Sequence, residues 1–419
     1  MNQALISPQD LHDALIATGP SGTREIAPLD LREEGSFGAR HLLRAVNLPL
    51  SVLELRTRQL VPRLKTPVVL IDDGEGEAAR GAALLIQAGY SDVALLEGGL
   101  SAWEAAGFAV FSGINVPSKL FGERIEQRFG TPHLDAQAVA RMRDAGDDLV
   151  ILDSRPFSEF RRMNIPSAIN LPGAELVARV RAAAPDPKTT VIVNCAGRTR
   201  SIIGAQSLIN AGLENPVYAL KDGTMGWHLA GLALEKGQDR IAPDPTPEAR
   251  QWGVQAAAQV AQRFQVGTID ADGLARLQAD QDRTTFLLDV RAHAEYEAGH
   301  MAGAIHAPGG QLVQASDRYV GVLGARLVLV DDEGPRAQMT ASWLIQMGWP
   351  DVRVMRIEGP LEQGAPEPRV PELFQFAQSF IIAQDLATHE GVPIIDLSTS
   401  RQHKHAHIPG ARFAIRSRL

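Results

Sequence analysis

Cys195 is the single cysteine in 419 residues, and Gly197, Arg198 and Arg200 follow it within five positions. A thiol reacts as its thiolate, so surroundings that favour negative charge decide whether a cysteine is a nucleophile or an inert core residue. Here two guanidinium groups bring positive charge to one spot in a chain whose formal net charge is −8. The combination points to a reactive thiolate that meets an anionic substrate. The plain alternative is a buried structural cysteine, and the adjoining glycine and arginines argue against it.

Such a thiol needs a rigid mount. Val191-Ile192-Val193 is a β-branched run of the kind that fills a buried strand, and from Ser201 the apolar spacing becomes that of a helix. Cys195 to Arg200 is then a six-residue loop between the two. A loop of this kind gathers backbone N–H groups at a helix N-terminus, where fixed partial positive charge favours an anion. Gly197 supplies the conformational freedom that so tight a turn requires.

The motif Cys195-Ala196-Gly197-Arg198-Thr199-Arg200-Ser201 after Val191-Ile192-Val193-Asn194 resembles the active-site loop of rhodanese-type sulfurtransferases. Members of that fold acting as phosphatases or arsenate reductases carry a longer loop, with five residues between Cys and Arg. Here Arg200 stands at the fifth place after Cys195 and Ser201 at the sixth, and the shorter loop fits a sulfane sulfur. The Cys-Gly-Ser-Gly style loop of mercaptopyruvate sulfurtransferases is absent. The resemblance implies a thiosulfate sulfurtransferase: the Cys195 thiolate attacks the outer sulfur of thiosulfate, expels sulfite and holds a persulfide that cyanide or a thiol removes. It assigns substrate binding to Ala196, Gly197, Arg198, Thr199, Arg200 and Ser201, whose N–H groups would act on sulfur as an oxyanion hole acts on oxygen. Arg198 or Arg200 would hold the sulfonate end. A second reading is a sulfur-relay or sulfide-sensing carrier that passes the Cys195 persulfide between proteins and turns over small molecules poorly. No metal and no other cofactor is implied.

The elements around the loop repeat. Leu152-Asp153-Ser154-Arg155 has counterparts in Leu29-Asp30-Leu31-Arg32, Leu288-Asp289-Val290-Arg291 and, degraded, Ile395-Asp396-Leu397-Ser398. Turn phrases such as Ala168-Ile169-Asn170-Leu171-Pro172 and Ala45-Val46-Asn47-Leu48-Pro49 follow them, a pattern that also resembles the rhodanese domain. Cys195 lies 42 residues after Asp153; the same step from Asp30 reaches Asp72, and from Asp289 it reaches Asp331. Three copies therefore share one frame, and only the middle one has a thiol. The expected division is 1–115 (inactive, Asp72 at the Cys position), 131–238 (active), 265–366 (inactive, Asp331 at the Cys position) and 373–419, the truncated start of a fourth copy. Thr246 to Phe264 reads as a helical linker, and Gly364 to Pro371 as a stiff extended one. Alternating β-like and amphipathic stretches give an α/β fold of tandem rhodanese-like domains, each a mostly parallel sheet flanked by helices. The loop then sits outside the carboxyl end of a strand, where such sheets bind ligands.

Asp153 and Arg155 recur in copies without a thiol, so their expected role is structural support. His41, His300 and His407 fall 11 residues after their aspartates, yet the middle copy has Asn164 there, which argues against a base. His403, His405 and His407 alternate as metal ligands on a strand would, but no second cluster completes a zinc set. In the first copy Asp72, Asp73, Glu75 and Glu77 crowd the loop that should cradle an anion.

Composition sets outer limits. A chain 45% hydrophobic and 5% aromatic reads as globular, with room for two to four domains. Its net negative charge and scattered basic residues give no support for nucleic-acid binding, and no run approaches the roughly 20 apolar residues of a membrane helix. The N-terminus has no signal-peptide pattern, and a lone cysteine suits a reducing cytoplasm. The expected partners are a small anionic sulfur donor, thiosulfate or a persulfide, and a thiol or cyanide acceptor. There is no nucleic acid and no membrane among them, and a homo-oligomer is compatible with this composition.

Overall fold

Alternation along three central strands sets the architecture of the computed structural model, which describes residues 4–19, 24–364, 379–389 and 391–419. In Val68–Ile71, Val68 and Leu70 face a large core and Val69 and Ile71 a smaller one. In Thr190–Asn194, Val191 and Val193 join the large core while Ile192 enters a second small one. Arg326–Asp331 repeats the division, with Leu327 and Leu329 on one side and Val328 and Val330 on the other. Residues two apart share a face of a strand, so these runs are apolar on both faces and require cover on both.

Each strand is the centre of a five-stranded parallel sheet, and the three sheets share one order: first, fifth, fourth, second, third, counting the strands of each sheet along the chain. In the middle copy these are His133–Leu134, Val217–Leu220, Thr190–Asn194, Leu149–Asp153 and Ile169–Asn170. The fourth strand delivers Asp72, Cys195 or Asp331 at its carboxyl end; the second delivers Asp30, Asp153 or Asp289.

The copies are not beads on a string. Their inner faces merge into one core holding Leu29 and Leu70, Leu176 and Val193, and Leu288 and Leu344. The indole of Trp343 in the third copy donates to Ser207 Oγ of the second at 2.8 Å and meets Phe121 edge-on at 6.0 Å. The helix Thr199–Asn210, which begins with the active loop, is buried nearly all round by this arrangement. It starts at Thr199, two residues before the expected Ser201, so Thr199 and Arg200 belong to its first turn rather than to the loop.

Pro247–Arg263 forms the linker helix, with the Thr246 hydroxyl accepting from the Ala249 amide. A second connecting helix, Val116–Phe129, fills the stretch between the first two expected domains. Most of the extended stretch from Gly364 to Pro371, and residues 373–378 of the fourth segment, lie outside the described residues. From residue 391 that segment forms two short parallel strands, Ile395–Asp396 and Arg412–Phe413, around the helix Ser400–His405. His403 and His405 are thus helical and not on a strand, because Thr399 and Gln402 cap a helix there. His403 contacts Asp396 at 2.7 Å, and its ring stacks on that of His407. Among the described residues no helix is long and apolar enough to cross a membrane.

Candidate active site

Cys195 follows the last residue of its strand and is 2% exposed. Its carbonyl accepts from the Thr224 amide at 2.8 Å and the Thr224 hydroxyl at 3.1 Å, and the Ala196 carbonyl accepts from the Met225 amide at 3.0 Å. The back of the loop is therefore pinned to the helix Gly223–Leu229. This contact explains Gly223: with a φ of +54°, a Cβ there would lie 2.4 Å from the Cys195 carbonyl oxygen. The front of the loop is unspent. Among the described residues the amides of Ala196 to Ser201 donate to no protein acceptor.

The sister copies show what such a loop holds. In the first, the Asp72 carboxylate folds into its own loop and accepts from the amides of Gly74 at 3.1 Å, Gly76 at 3.1 Å and Ala78 at 3.0 Å. In the third, Asp331 accepts from the amides of Arg336 at 2.9 Å and Ala337 at 3.2 Å, and from Arg336 Nε at 3.0 Å. Both loops are anion cradles filled by the residue at the thiol position. In the first copy the acidic residue at the thiol position is itself the anion that the loop amides hold. In the shared frame those amides correspond to Gly197, Thr199, Arg200 and Ser201.

The two arginines differ. Arg198 is 30% exposed and paired with Glu123, at 2.7 Å, and with Glu126, both on the connecting helix Val116–Phe129. Gly122 of that helix lets it close onto Thr199, where an added Cβ would lie 3.1 Å from the threonine methyl. Arg200 is 14% exposed and forks onto Glu159 at 3.1 and 2.9 Å. Burial pulls its pKa down, but the Glu159 hydrogen bonds and then the field of Cys195 outweigh that, and the net shift is upward. The third copy repeats this pair as Arg336 and Glu295, at 2.7 Å, and there the guanidinium also reaches the anion in the cradle. The first copy has Glu77 and Ser36 at the corresponding places and lacks the pair. In the third copy, then, the arginine five residues after the position of the thiol touches what the cradle holds.

Asp153 and Arg155 form a bidentate pair at 2.8 and 2.7 Å, and Arg155 also donates to the Met163 carbonyl. Asp30 with Arg32 and Asp289 with Arg291 do the same. Asn194 Nδ2 donates to Asp153 at 2.9 Å, which ties this buried pair to the end of the strand that carries the thiol. The 11-residue position is equally structural. His41, His300 and His407 each donate Nδ1–H to the carbonyl four residues back, and Asn164 does so through Nδ2. Glu123, Glu126 and Glu159 were not singled out from the sequence. Glu123 and Glu126, three apart on one helix face, were the available signal.

Three successive stretches, residues 7–106, 135–230 and 270–357, match the family described as Rhodanese-like domain. Over 99% of its length the chain is similar to the crystal structure of a thiosulfate sulfurtransferase from Pseudomonas aeruginosa, with 49% identity and a TM-score of 0.93; the match covers 78% of that chain. Two curated proteins match in part. HTH-type transcriptional regulator Rv0324 of Mycobacterium tuberculosis is 33% identical over 97 residues, 23% of this chain and 42% of its own length. YqhL of Bacillus subtilis is 32% identical over 83 residues, 20% of this chain and 64% of its own length. The chain thus spans less than two thirds of the curated relatives it matches.

Proposed function

The chain belongs to the rhodanese-like domain family, and from that premise we propose that it is a thiosulfate sulfurtransferase working through a persulfide on Cys195. The observation that carries this reading is the anion cradle, filled by a carboxylate at Asp72 and Asp331 and offered to a thiol at Cys195. The similarity to the Pseudomonas aeruginosa enzyme supports it. On this reading 131–238 is the working domain, while 1–115 and 265–366 are closed to anions and serve to build the shared core.

Thiosulfate enters with its outer sulfur toward Cys195. The thiolate attacks that sulfur; the new S–S bond forms as the old one breaks, and sulfite leaves with the bonding pair. Negative charge then rests on the outer sulfur of the persulfide, where the cradle amides and Arg200 stabilise it. Cyanide or a thiol removes that sulfur and restores the thiolate. Steady-state release of sulfite from thiosulfate with cyanide or glutathione tests the proposal. A chain that forms a Cys195 persulfide but does not turn over would instead be a sulfur carrier.

The arginines give a sharper test. Arg200→Ala removes a buried guanidinium beside the reacting sulfur and is expected to lower kcat/KM for thiosulfate by about 100-fold, the scale of one lost electrostatic stabiliser. Arg198→Ala breaks half-exposed pairs and is expected to cost no more than about threefold. Equal losses in the two variants, measured by initial rates, would contradict the assignment of Arg200.

A further inference from the structure

We propose that Asn194 is a positioning residue of the transfer: acting through the Thr224 hydroxyl, it holds the Cys195 carbonyl at the back of the loop and so keeps the peptide that follows the thiol residue in one orientation. The inference rests on the persulfide reading above. Asn194 is fully buried at the end of the strand Thr190–Asn194. Its Nδ2 faces the Asp153 carboxylate, an acceptor only, at 2.9 Å, which fixes the orientation of the amide and sends its second N–H to Thr224 Oγ1 at 3.1 Å. The Thr224 hydroxyl then gives its own proton to the Cys195 carbonyl, at 3.1 Å. A chain of donors thus runs one way, from Asn194 through Thr224 to the residue that carries the thiol. In a trans peptide the C=O and the following N–H point to opposite sides, so a carbonyl held at the back leaves the Ala196 N–H on the open side.

The sister copies show that the fold does not require this chain. At the place of Asn194 they have Ile71 and Val330, and both still bury the aspartate and arginine pair on the neighbouring strand. At the place of Thr224 the first copy has Leu100, whose amide holds the Asp72 carbonyl at 2.9 Å; in the third copy the Ile357 amide holds the Asp331 carbonyl at 3.1 Å. Backbone amides are enough there. Two polar side chains are buried behind the loop only where a thiol stands, and the exchange has a cost, since Asn194 Oδ1 is left buried without a partner. In the sister copies the held anion is a carboxylate fixed to its own loop. In the middle copy the charge passes between thiolate, thiosulfate and persulfide, and a carbonyl oxygen turned inward would repel it. The charged groups around the loop are Arg200 with Glu159, Arg198 with Glu123 and Glu126, Asp153 with Arg155, and Asp222 at the start of the helix Gly223–Leu229. Asn194 and Thr224 are uncharged, so replacing them leaves these charges in place.

Asn194→Val, which places the third copy's residue here, is the first test, with Thr224→Val and the double variant beside it in the full chain. Three quantities are read: single-turnover sulfite release from thiosulfate, the rate of Cys195 alkylation by iodoacetamide at neutral and at high pH, and Tm as a check of folding. Each single variant is expected to lower sulfite release and neutral alkylation about tenfold, the upper scale of one hydrogen bond. Alkylation near pH 10, where thiols are ionised, is expected to change less than about twofold. The double variant is expected to lose no more than either single one, because the two side chains act in series. Thr224→Ser, which keeps the hydroxyl, should hold both rates within about threefold of the wild type. Unchanged neutral rates in Asn194→Val, losses that multiply to about a hundredfold in the double variant, or an equal loss near pH 10 would each overturn the proposal. If Asn194→Val does not fold, the threonine variants decide: Thr224→Val slower than Thr224→Ser supports the chain, and equal rates overturn it. If the wild type released no sulfite while the alkylation losses held, the thiosulfate reading would fail and the role of Asn194 would stand.

Discussion

Cys195→Ser is expected to abolish sulfur transfer, and adding Asp72→Cys to that variant is expected not to bring it back. The first half follows from chemistry: serine cannot hold sulfane sulfur as a persulfide, and the described structure contains one free thiol. The second half follows from the neighbours of the new thiol. Asp72→Cys would inherit the three amides of Gly74, Gly76 and Ala78, but the fifth residue onward is Glu77 in place of an arginine. Glu77 is 5% exposed, and burial first, then Glu75 and Asp72, raises its pKa. A thiolate there gains no guanidinium, and negative charge around it disfavours both its own ionised form and an incoming dianion. Asp331→Cys is the harder test, because Arg336 already touches that site; yet Arg336 is shared with Asp332, Glu175 and Glu295. Neither variant is expected to exceed about a hundredth of the wild-type rate, a barrier difference of roughly 3 kcal/mol. Activity in the Asp72→Cys variant within tenfold of wild type would show that a cradle and a thiol suffice.

Arg336→Ala should destabilise the protein by about 3 to 5 kcal/mol, the scale for removing one partner of a buried charge network. The guanidinium is 9% exposed and bridges Asp331, Asp332 and Glu295 of the third copy to Glu175 of the second, at 3.0 Å. Its loss leaves the fully buried Asp331 with only amide partners and parts the link between copies at the turn Gly173–Glu175. The same loop that in the middle copy is left open to an anion is used here as an internal clamp. Urea unfolding followed by tryptophan fluorescence reads the loss, with Arg336→Lys recovering part of it because the charge remains while the fork is lost. A loss below about 1 kcal/mol would mean that the network contributes no more than a surface pair.

What the sequence made legible was whatever one copy repeats in another. The strand runs leading to Asp72, Cys195 and Asp331 are short continuous apolar stretches, and the 42-residue frame aligned them without any contact information. The Asp153 and Arg155 pair was legible for the same reason. Relations between copies were not. Nothing local to Val191 or Leu327 states that they share a core, and Trp343 gives no sign that its indole reaches Ser207. The roles of Arg198 and Arg200 could not be separated because their partners, Glu123, Glu126 and Glu159, lie 41 to 75 residues away. The helix start was placed two residues late because Thr199 and Arg200 are polar and carry no apolar period; their backbone is helical because the turn itself begins there.

The most direct measurement is the count and position of transferred sulfur. After a single turnover with excess thiosulfate and no acceptor, sulfite is quantified per chain and the protein is mapped by mass spectrometry. The expected result is one sulfite per chain and one added sulfur of about 32 Da, all of it on the peptide containing Cys195. A burst near two per chain, or a full burst that leaves Cys195 unmodified, would contradict the account.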